Sequence, residues 1–564
     1  MVAAAGAGSR GSTGVRAERP TRIRLRAWQS EALERFAVHP APDFLAVATP
    51  GAGKTTFALT AAVRHLADHP GQRVVVVAPT QHLKHQWAAA ASRFRLHLDA
   101  DWSARDPVLP GDVHGVVTTY QQVATSAAEL ATLAGGGFVV LDEVHHAGDD
   151  RAWGSSVLQA FSGASRRLAL SGTPFRSDSS AIPFVDYHLD EARSDFEYGY
   201  GDALVDGGVV RPVYFPRING FMEWTTPDGQ VLSATFDDEL AREHANQRLR
   251  TALSLEGQWL PAVLRQAHER LAQLRADDPA AGGLVIATDQ AHAQGIAEEL
   301  RRRGASVVVA TSDEDDASER IGRFTDSTDE WIVAVRMVSE GVDIPRLRIA
   351  VFATTTTTEL FFRQAVGRVV RHTRGRRDQR AFVFLPDDPR LRRHAAAVTE
   401  SRRHSLRARR EAPRAEDEGG VEAGDEDQLS LFGVIGAVVT ESSTDQSTLG
   451  VFDPQPDALE LREPGGVELV LEPPPLPGGG VAGSWQDDAT AAGDTPVVDP
   501  RQQRILLRER NADVVRELVR ATGWSHPAVN AELNRMSGIR QISQATVEQL
   551  ERRLDSARRW LRSA

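Results

Sequence analysis

Of the 65 lysine and arginine residues in this 564-residue chain only two are lysines, and one of them, Lys54, ends the run Ala48-Thr49-Pro50-Gly51-Ala52-Gly53-Lys54. A compact ammonium on a thin stem fits between backbone amides and the β- and γ-phosphates of a nucleoside triphosphate, where a planar guanidinium is too broad. Gly51 and Gly53 let the backbone approach phosphate oxygens, a helix opening near Lys54 aims its amides at the anion, and Thr55 offers a hydroxyl to Mg2+. The second run is Val139-Val140-Leu141-Asp142-Glu143-Val144-His145-His146. An apolar strand ending in two carboxylates suits phosphoryl transfer, with Asp142 holding the metal through water and Glu143 orienting and deprotonating the attacking water. Either run alone would read as an ordinary turn; a buried-strand pattern some 90 residues after a phosphate loop gives the pair its weight. A third run, Gln364 to Arg371, sets Arg368 and Arg371 on one helical face, fixed planar donors for the charge that spreads over a γ-phosphate in transition.

These groups need elements to hold them. Phe44–Ala48, Val74–Ala78, Val116–Thr119, Phe138–Leu141 and Leu168–Leu170 read as short buried strands, and Thr55–Leu66 has helical spacing. A second set begins near residue 260, with Leu284–Ala287, Ser306–Ala310, Trp331–Val335, Ile349–Ala353 and Ala381–Leu385 as strands and Ala291–Arg303 as an intervening helix. Strands alternating with helices imply an α/β fold, each set a parallel sheet with helices on both faces. Residues near 190–260 are aromatic and polar and have no clear place in either set.

The net charge of −12 is unevenly spread: residues 411–500 carry −18, residues 501–564 carry +6, and the rest is neutral. The acidity therefore does not argue against a nucleic-acid partner. Residues 411–500, with Pro473-Pro474-Pro475 and Gly478-Gly479-Gly480, have linker composition, broken by apolar patches at Leu429–Val439 and Val467–Leu471 that invite docking. Beyond residue 501 helical spacing returns, with Asn511 and Ser525 as expected helix caps. Cysteine is absent, so zinc and iron–sulfur sites built on thiolates are not expected, and no apolar run has membrane-spanning length.

Further runs occur in order: Arg26-Ala27-Trp28-Gln29, Ala78-Pro79-Thr80, Thr118-Thr119-Tyr120, Ser171-Gly172-Thr173-Pro174 and Ser339-Glu340-Gly341-Val342-Asp343-Ile344-Pro345. Together with the first three they resemble the superfamily 2 helicases and translocases of the DEAD/DEAH type, nearest in pattern to XPB-like helicases and the motor subunits of type III restriction enzymes, over about residues 23–385. The resemblance implies two tandem RecA-like lobes that clamp ATP and Mg2+ between them. It implies nucleotide contacts from Arg26, Gln29 (to adenine), Gly51, Gly53, Lys54, Thr55, Gly341 and Asp343, metal contacts from Thr55 and Asp142, and catalysis by Asp142, Glu143, Gln364, Arg368 and Arg371. His145, Ser171 and Thr173 would couple hydrolysis to movement. Pro79, Thr80, Lys84, Thr118, Thr119 and Thr288 would contact nucleic acid, mainly at its backbone; for Lys84 a solvated helix face is the open alternative.

The expected layout is a tail over 1–20, lobe 1 over 21–190, a connecting region over 191–260, lobe 2 over 261–410, an acidic disordered linker over 411–500 and a small helical module over 501–564. The expected activity is that of a cytoplasmic ATP-dependent DNA helicase or translocase serving repair, recombination or defence. DNA is favoured because Arg26–Gln29 and Glu340–Pro345 look more like the DNA-acting relatives. An RNA helicase and an ATP-gated binding subunit are the alternatives. A nuclease that needs a lysine beside its metal carboxylates is not encoded, since both lysines lie in lobe 1, so any cutting would fall to a partner. The 501–564 module is read as a protein-docking site, as an auxiliary DNA-binding unit or as a plain stabilising cap.

Overall fold

The computed structural model describes residues 21–148, 151–172, 182–188, 191–226, 229–311, 317–335, 344–373, 376, 379–411, 466–477 and 500–563. Two α/β lobes carry the candidate chemistry. In lobe 1 the parallel strands run, in spatial order, Phe196–Tyr198, Asp43–Ala48, Arg166–Ser171, Phe138–Leu141, Val74–Ala78, Gly115–Thr119 and Leu98–Asp99. Successive side chains point to opposite faces, so both faces must be covered. Val74, Val76 and Ala78 pack with the helices that carry Trp28, Phe57 and Trp87, while Val75 and Val77 pack with those that carry Tyr120, Leu130 and Phe161.

Lobe 2 repeats the plan with the order Val213–Tyr214, Ala381–Pro386, Leu347–Ala353, Gly282–Ala287, Trp331–Val335 and Val307–Ala310. One face buries Val285, Val333 and Val351 under helices Arg242–Ala252, Trp259–Asp277 and Gln290–Arg302; the other buries Ile286, Ile332 and Phe352 under helix Glu359–Val369 and its neighbours. The fold is the expected one: two parallel-sheet lobes and, after them, three C-terminal helices, Pro500–Thr522, His526–Ser537 and Val547–Ser563. No helix among the described residues is long and apolar enough to cross a membrane.

The region around 190–260, unplaced from sequence, is divided between the lobes. Phe196–Tyr198 extends the lobe 1 sheet beside Asp43–Ala48, while Val213–Tyr214 and Arg217–Ile218 extend the lobe 2 sheet along Ala381–Pro386. The apolar patch near 467–471 does dock: Gly466–Leu471 pairs antiparallel with Thr21–Arg26, Gly466 opposite Arg26 and Leu471 opposite Thr21. The patch Leu429–Val439 and the tail over 1–20 lie outside the described residues. One expectation is corrected. Asn511 is no cap but stands inside helix Pro500–Thr522, fully buried, donating to the Leu507 and Leu550 carbonyls and accepting from Arg553. A buried amide with partners on a second helix serves as a rivet, which local capping statistics cannot see. Ser525 does cap helix His526–Ser537, its hydroxyl accepting from the Ala528 amide.

Candidate nucleotide site between the two lobes

The phosphate loop joins strand Asp43–Ala48 to helix Lys54–Asp68 with Gly51 and Gly53 at φ of +80° and +92°, a region an L side chain enters at a cost. If its amides are to face an anion, its carbonyls must face away and find donors there. Three successive ones do: Arg26 Nη1 donates to Gly51 O at 2.8 Å, Trp28 Nε1 to Ala52 O at 3.1 Å and Gln29 Nε2 to Gly53 O at 2.9 Å. Gln29 also accepts from its own helix start through the Arg26 amide at 2.8 Å and is buried. The structure thus sets the expected adenine reader against the back of the loop. A Cβ on Gly53 would lie 2.7 Å from Gln29 Nε2, so a side chain there would displace the Gln29 amide besides straining a backbone at φ +92°.

Lys54 Nζ donates to Ala48 O at 3.1 Å and pairs with Glu143 Oε1 at 3.3 Å. Glu143 sits just past strand Phe138–Leu141 at φ +46°, unusual for a residue with a side chain, and its Oε2 accepts from the Gly172 amide at 3.1 Å. Burial acts to raise its pKa, but Lys54 and then His145 prevail and lower it to about 2. Asp142 is pushed up to about 6, first by burial and then by the Glu143 charge. Its Oδ2 accepts from Trp87 Nε1 at 2.7 Å, and the Glu143 amide also donates to the carboxylate. One carboxylate oxygen and the Thr55 hydroxyl, both lining the same cavity, fit Mg2+, which keeps much of its own water and takes phosphate oxygens besides.

That cavity, about 850 Å3, lies between the lobes. Lobe 1 lines it with Gly51, Lys54, Thr55, Asp142 and Glu143, and lobe 2 with Gln364, Gly367, Arg368 and Arg371. The lobes touch: a Cβ on Gly367 would lie 2.5 Å from Pro50 Cγ, and one on Gly51 would lie 3.3 Å from Arg371 Cγ. His145, buried, bridges them, with Nδ1 3.3 Å from Ser171 Oγ and Nε2 3.2 Å from Gln364 Nε2. The structure therefore brings together the loop, the carboxylates, Ser171, His145, Gln364 and both arginines.

Of the expected nucleic-acid residues, all but Pro79 lie away from the cavity lining. Thr80 and Thr119 cap helices Gln81–Ser92 and Tyr120–Thr125. Thr118 is fully buried. Lys84 is buried too, donating to Gln122 Oε1 at 3.1 Å, which corrects the alternative of a solvated face. Pro79 lines the cavity, and Thr288 donates to Ala353 O at 3.3 Å in lobe 2. Thr173, Gly341 and Asp343 lie outside the described residues.

Two participants escaped the sequence reading. Trp87, one of ten tryptophans, fixes a carboxylate 55 positions away. Arg211, buried, donates to Pro345 O at 2.9 Å, Leu347 O at 3.4 Å and Thr373 Oγ1 at 3.2 Å, and also to Arg371 O. Burial, and then the nearby Arg348, hold its pKa well below the usual arginine value. It staples the end of the helix bearing Arg368 to the strand Leu347–Ala353 beneath.

A loop of this kind, an Asp-Glu pair two strands away in the same sheet and arginines from a second lobe define a nucleic-acid motor of superfamily 2. The family model for "Type III restriction enzyme, res subunit" matches residues 22–176. The chain belongs to the superfamily 2 helicases, in one family with an uncharacterized protein of Mycobacterium tuberculosis (strain CDC 1551 / Oshkosh), to which it is 39% identical over 95% of this chain and 92% of the relative. It is similar as well to a DNA 3'-5' translocase, XPB2, of Sulfurisphaera tokodaii, at 24% identity over 64% of this chain and 81% of that protein. Among solved structures it is similar to an ATP-dependent Type ISP restriction-modification enzyme bound to DNA, LlaBIII, with a TM-score of 0.46 and 16% identity over 68% of this chain and 30% of that one. Membership in this superfamily implies ATP binding.

Proposed function

We propose that this protein is an ATP-dependent DNA translocase or helicase whose hydrolytic site is complete only when its two lobes meet. The observation that carries the proposal is the shared cavity, with Lys54, Asp142 and Glu143 from one lobe and Arg368 and Arg371 from the other. Lys54 is paired with Glu143, so binding of phosphates draws the ammonium away and releases the carboxylate. Glu143, held ionised, then accepts a proton from the attacking water. Thr55 and Asp142 would hold Mg2+, which when bound offsets the phosphate charge. Arg368 and Arg371 stabilise the charge that develops during transfer, and they do so only when lobe 2 is seated. His145, touching both Ser171 and Gln364, reports lobe closure to the carboxylate beside it. Hydrolysis thereby becomes tied to a change of grip on the nucleic acid. DNA as the track is supported by the similarity to the Sulfurisphaera translocase.

The test is the ATPase rate with duplex DNA, single-stranded DNA and RNA, alongside strand displacement. Stimulation by DNA and loss of turnover in Lys54→Ala, with salt-sensitive DNA binding retained, are expected. Stimulation by RNA alone refutes the DNA assignment, and near-normal turnover in Lys54→Ala refutes the site.

A further inference from the structure

Away from the nucleotide cavity, a polar pocket of about 210 Å3 is lined by Arg242, Asn246, Arg250, Thr355, Thr357 and Arg390. None of them belongs to the runs from which the function was read. Arg242, Asn246 and Arg250 recur every fourth residue on helix Arg242–Ala252 and so share one face. Thr355 and Thr357 follow strand Leu347–Ala353, and Arg390 opens the helix that follows strand Ala381–Pro386. The pocket therefore lies at the carboxyl edge of the lobe 2 sheet. Thr288, at the end of the adjoining strand, is tied to the same edge through Ala353 O.

The charges are not balanced. Arg390 is fixed by the buried Asp388 through two bonds, at 2.9 and 3.0 Å, and by Asn246 Oδ1 at 2.7 Å. Arg242 and Arg250 are exposed and, among the described residues, have no ion-pair or hydrogen-bond partner. Glu243, next to Arg242, is exposed but does not line the pocket. Three guanidinium groups against one carboxylate leave two positive charges facing a small space with two hydroxyl groups beside them. Like charges gathered this way repel unless an anion joins them, and guanidinium with threonine hydroxyls is the donor set that phosphate oxygens accept.

We infer that this pocket binds the phosphodiester backbone of the nucleic acid, giving lobe 2 a grip outside the helicase motifs. The inference rests on the DNA-acting reading above. Removing the two exposed charges in the full chain, with Arg242→Gln and Arg250→Gln together, leaves the ATPase rate without DNA unchanged, since neither residue lies at the nucleotide cavity. Binding of a fluorescent single-stranded oligonucleotide is then titrated between about 50 and about 200 mM salt. The slope of log affinity against log salt becomes shallower by about 1.4, or about 0.7 for each phosphate that an arginine no longer neutralises. The Arg242→Lys, Arg250→Lys pair keeps the normal slope. If the wild type binds DNA and the glutamine pair shows the same slope, the inference is overturned and the DNA reading stands. If the wild type shows no salt-dependent DNA binding, the DNA reading itself fails. Thermal stabilisation by inorganic phosphate that the glutamine pair loses, with an unaltered DNA slope, would assign the pocket to a small free anion and overturn the backbone assignment.

Discussion

Gly367→Ala offers the sharpest test of the idea that the meeting of the lobes completes the site. Gly367 lies inside helix Glu359–Val369, buried, one residue before Arg368. A methyl there would lie 2.5 Å from Pro50 Cγ and 3.1 Å from Pro50 Cβ. Ordinary carbon contacts begin near about 3.5 Å, so one lobe must withdraw by about 1 Å. The proline ring belongs to the phosphate loop and has no rotamer to escape into. Two energies then oppose each other. Alanine in a helix interior is favoured over glycine by about 1 kcal/mol, whereas forcing a methyl into a packed contact costs about 1–3 kcal/mol. The fold should therefore lose no more than about 2 kcal/mol, and urea unfolding would move little. The catalytic loss is much larger, because a displacement of about 1 Å at a reacting centre costs on the order of 100-fold in turnover. DNA-stimulated ATPase assays should show kcat falling by about that factor, with ATP binding to lobe 1 largely kept. Adding Pro50→Ala deletes the nearest clashing atom and should recover much of the loss, a coupling that distant sites would not show. A Gly367→Ala enzyme turning over at the normal rate, or one that Pro50→Ala does not help, would refute the argument.

Two other expectations follow from buried groups. Arg211→Met keeps bulk but removes the donors to Pro345 O, Leu347 O and Arg371 O; it should cost about 2–4 kcal/mol in urea unfolding and lower kcat by displacing Arg371, while an unchanged kcat would remove Arg211 from the catalytic account. Near Asp112, Arg73, Arg95 and Arg504, burial above all lowers the pKa of His97 to about 4 and that of His114 to about 3. Both folded values lie below the ordinary one, so the unfolded chain takes up protons first and stability falls as pH drops from about 6.5 toward those values, by about 2 kcal/mol per histidine at about pH 5. Thermal melts across this range should show the loss, and His114→Gln should flatten the curve by one proton's worth.

The strands and the chemistry at their ends were legible because each is a local signal: a run of four or five apolar residues, then glycines or carboxylates. Val74–Ala78 and Phe138–Leu141 were readable to the residue. What escaped is non-local. Nothing near Val467–Leu471 says that its partner is Thr21–Arg26, about 446 positions earlier. Among so many arginines no pattern marks Arg211, whose role depends on carbonyls from two separate segments. Gln29 shows the same limit from the other side: its motif was visible, but only the packing reveals that its amide is spent on the loop's carbonyl.

The chain leaves lobe 1 for lobe 2 and then returns to the first, and the return contacts are placed where they bear on the loop. Strand Gly466–Leu471 pairs along the whole of Thr21–Arg26, and Arg26 is the first of the three donors that hold the loop's carbonyls. Further along, His114 Nδ1 accepts from the His97 amide, which puts the ring proton on Nε2, where it donates to Pro474 O at 3.3 Å. Asp112 then receives Arg504 Nη1 at 3.2 Å and the Val547 amide at 2.9 Å. The second of these places a carboxylate at the N-terminus of helix Val547–Ser563, where the unpaired amides and the helix dipole favour negative charge. Arg504 and Asp112 are both buried, so the pair holds firmly only if neither partner is removed. All these bonds end on lobe 1. When the lobes part, the C-terminal helices should therefore travel with the phosphate loop, and the 501–564 segment acts from that side of the cleft.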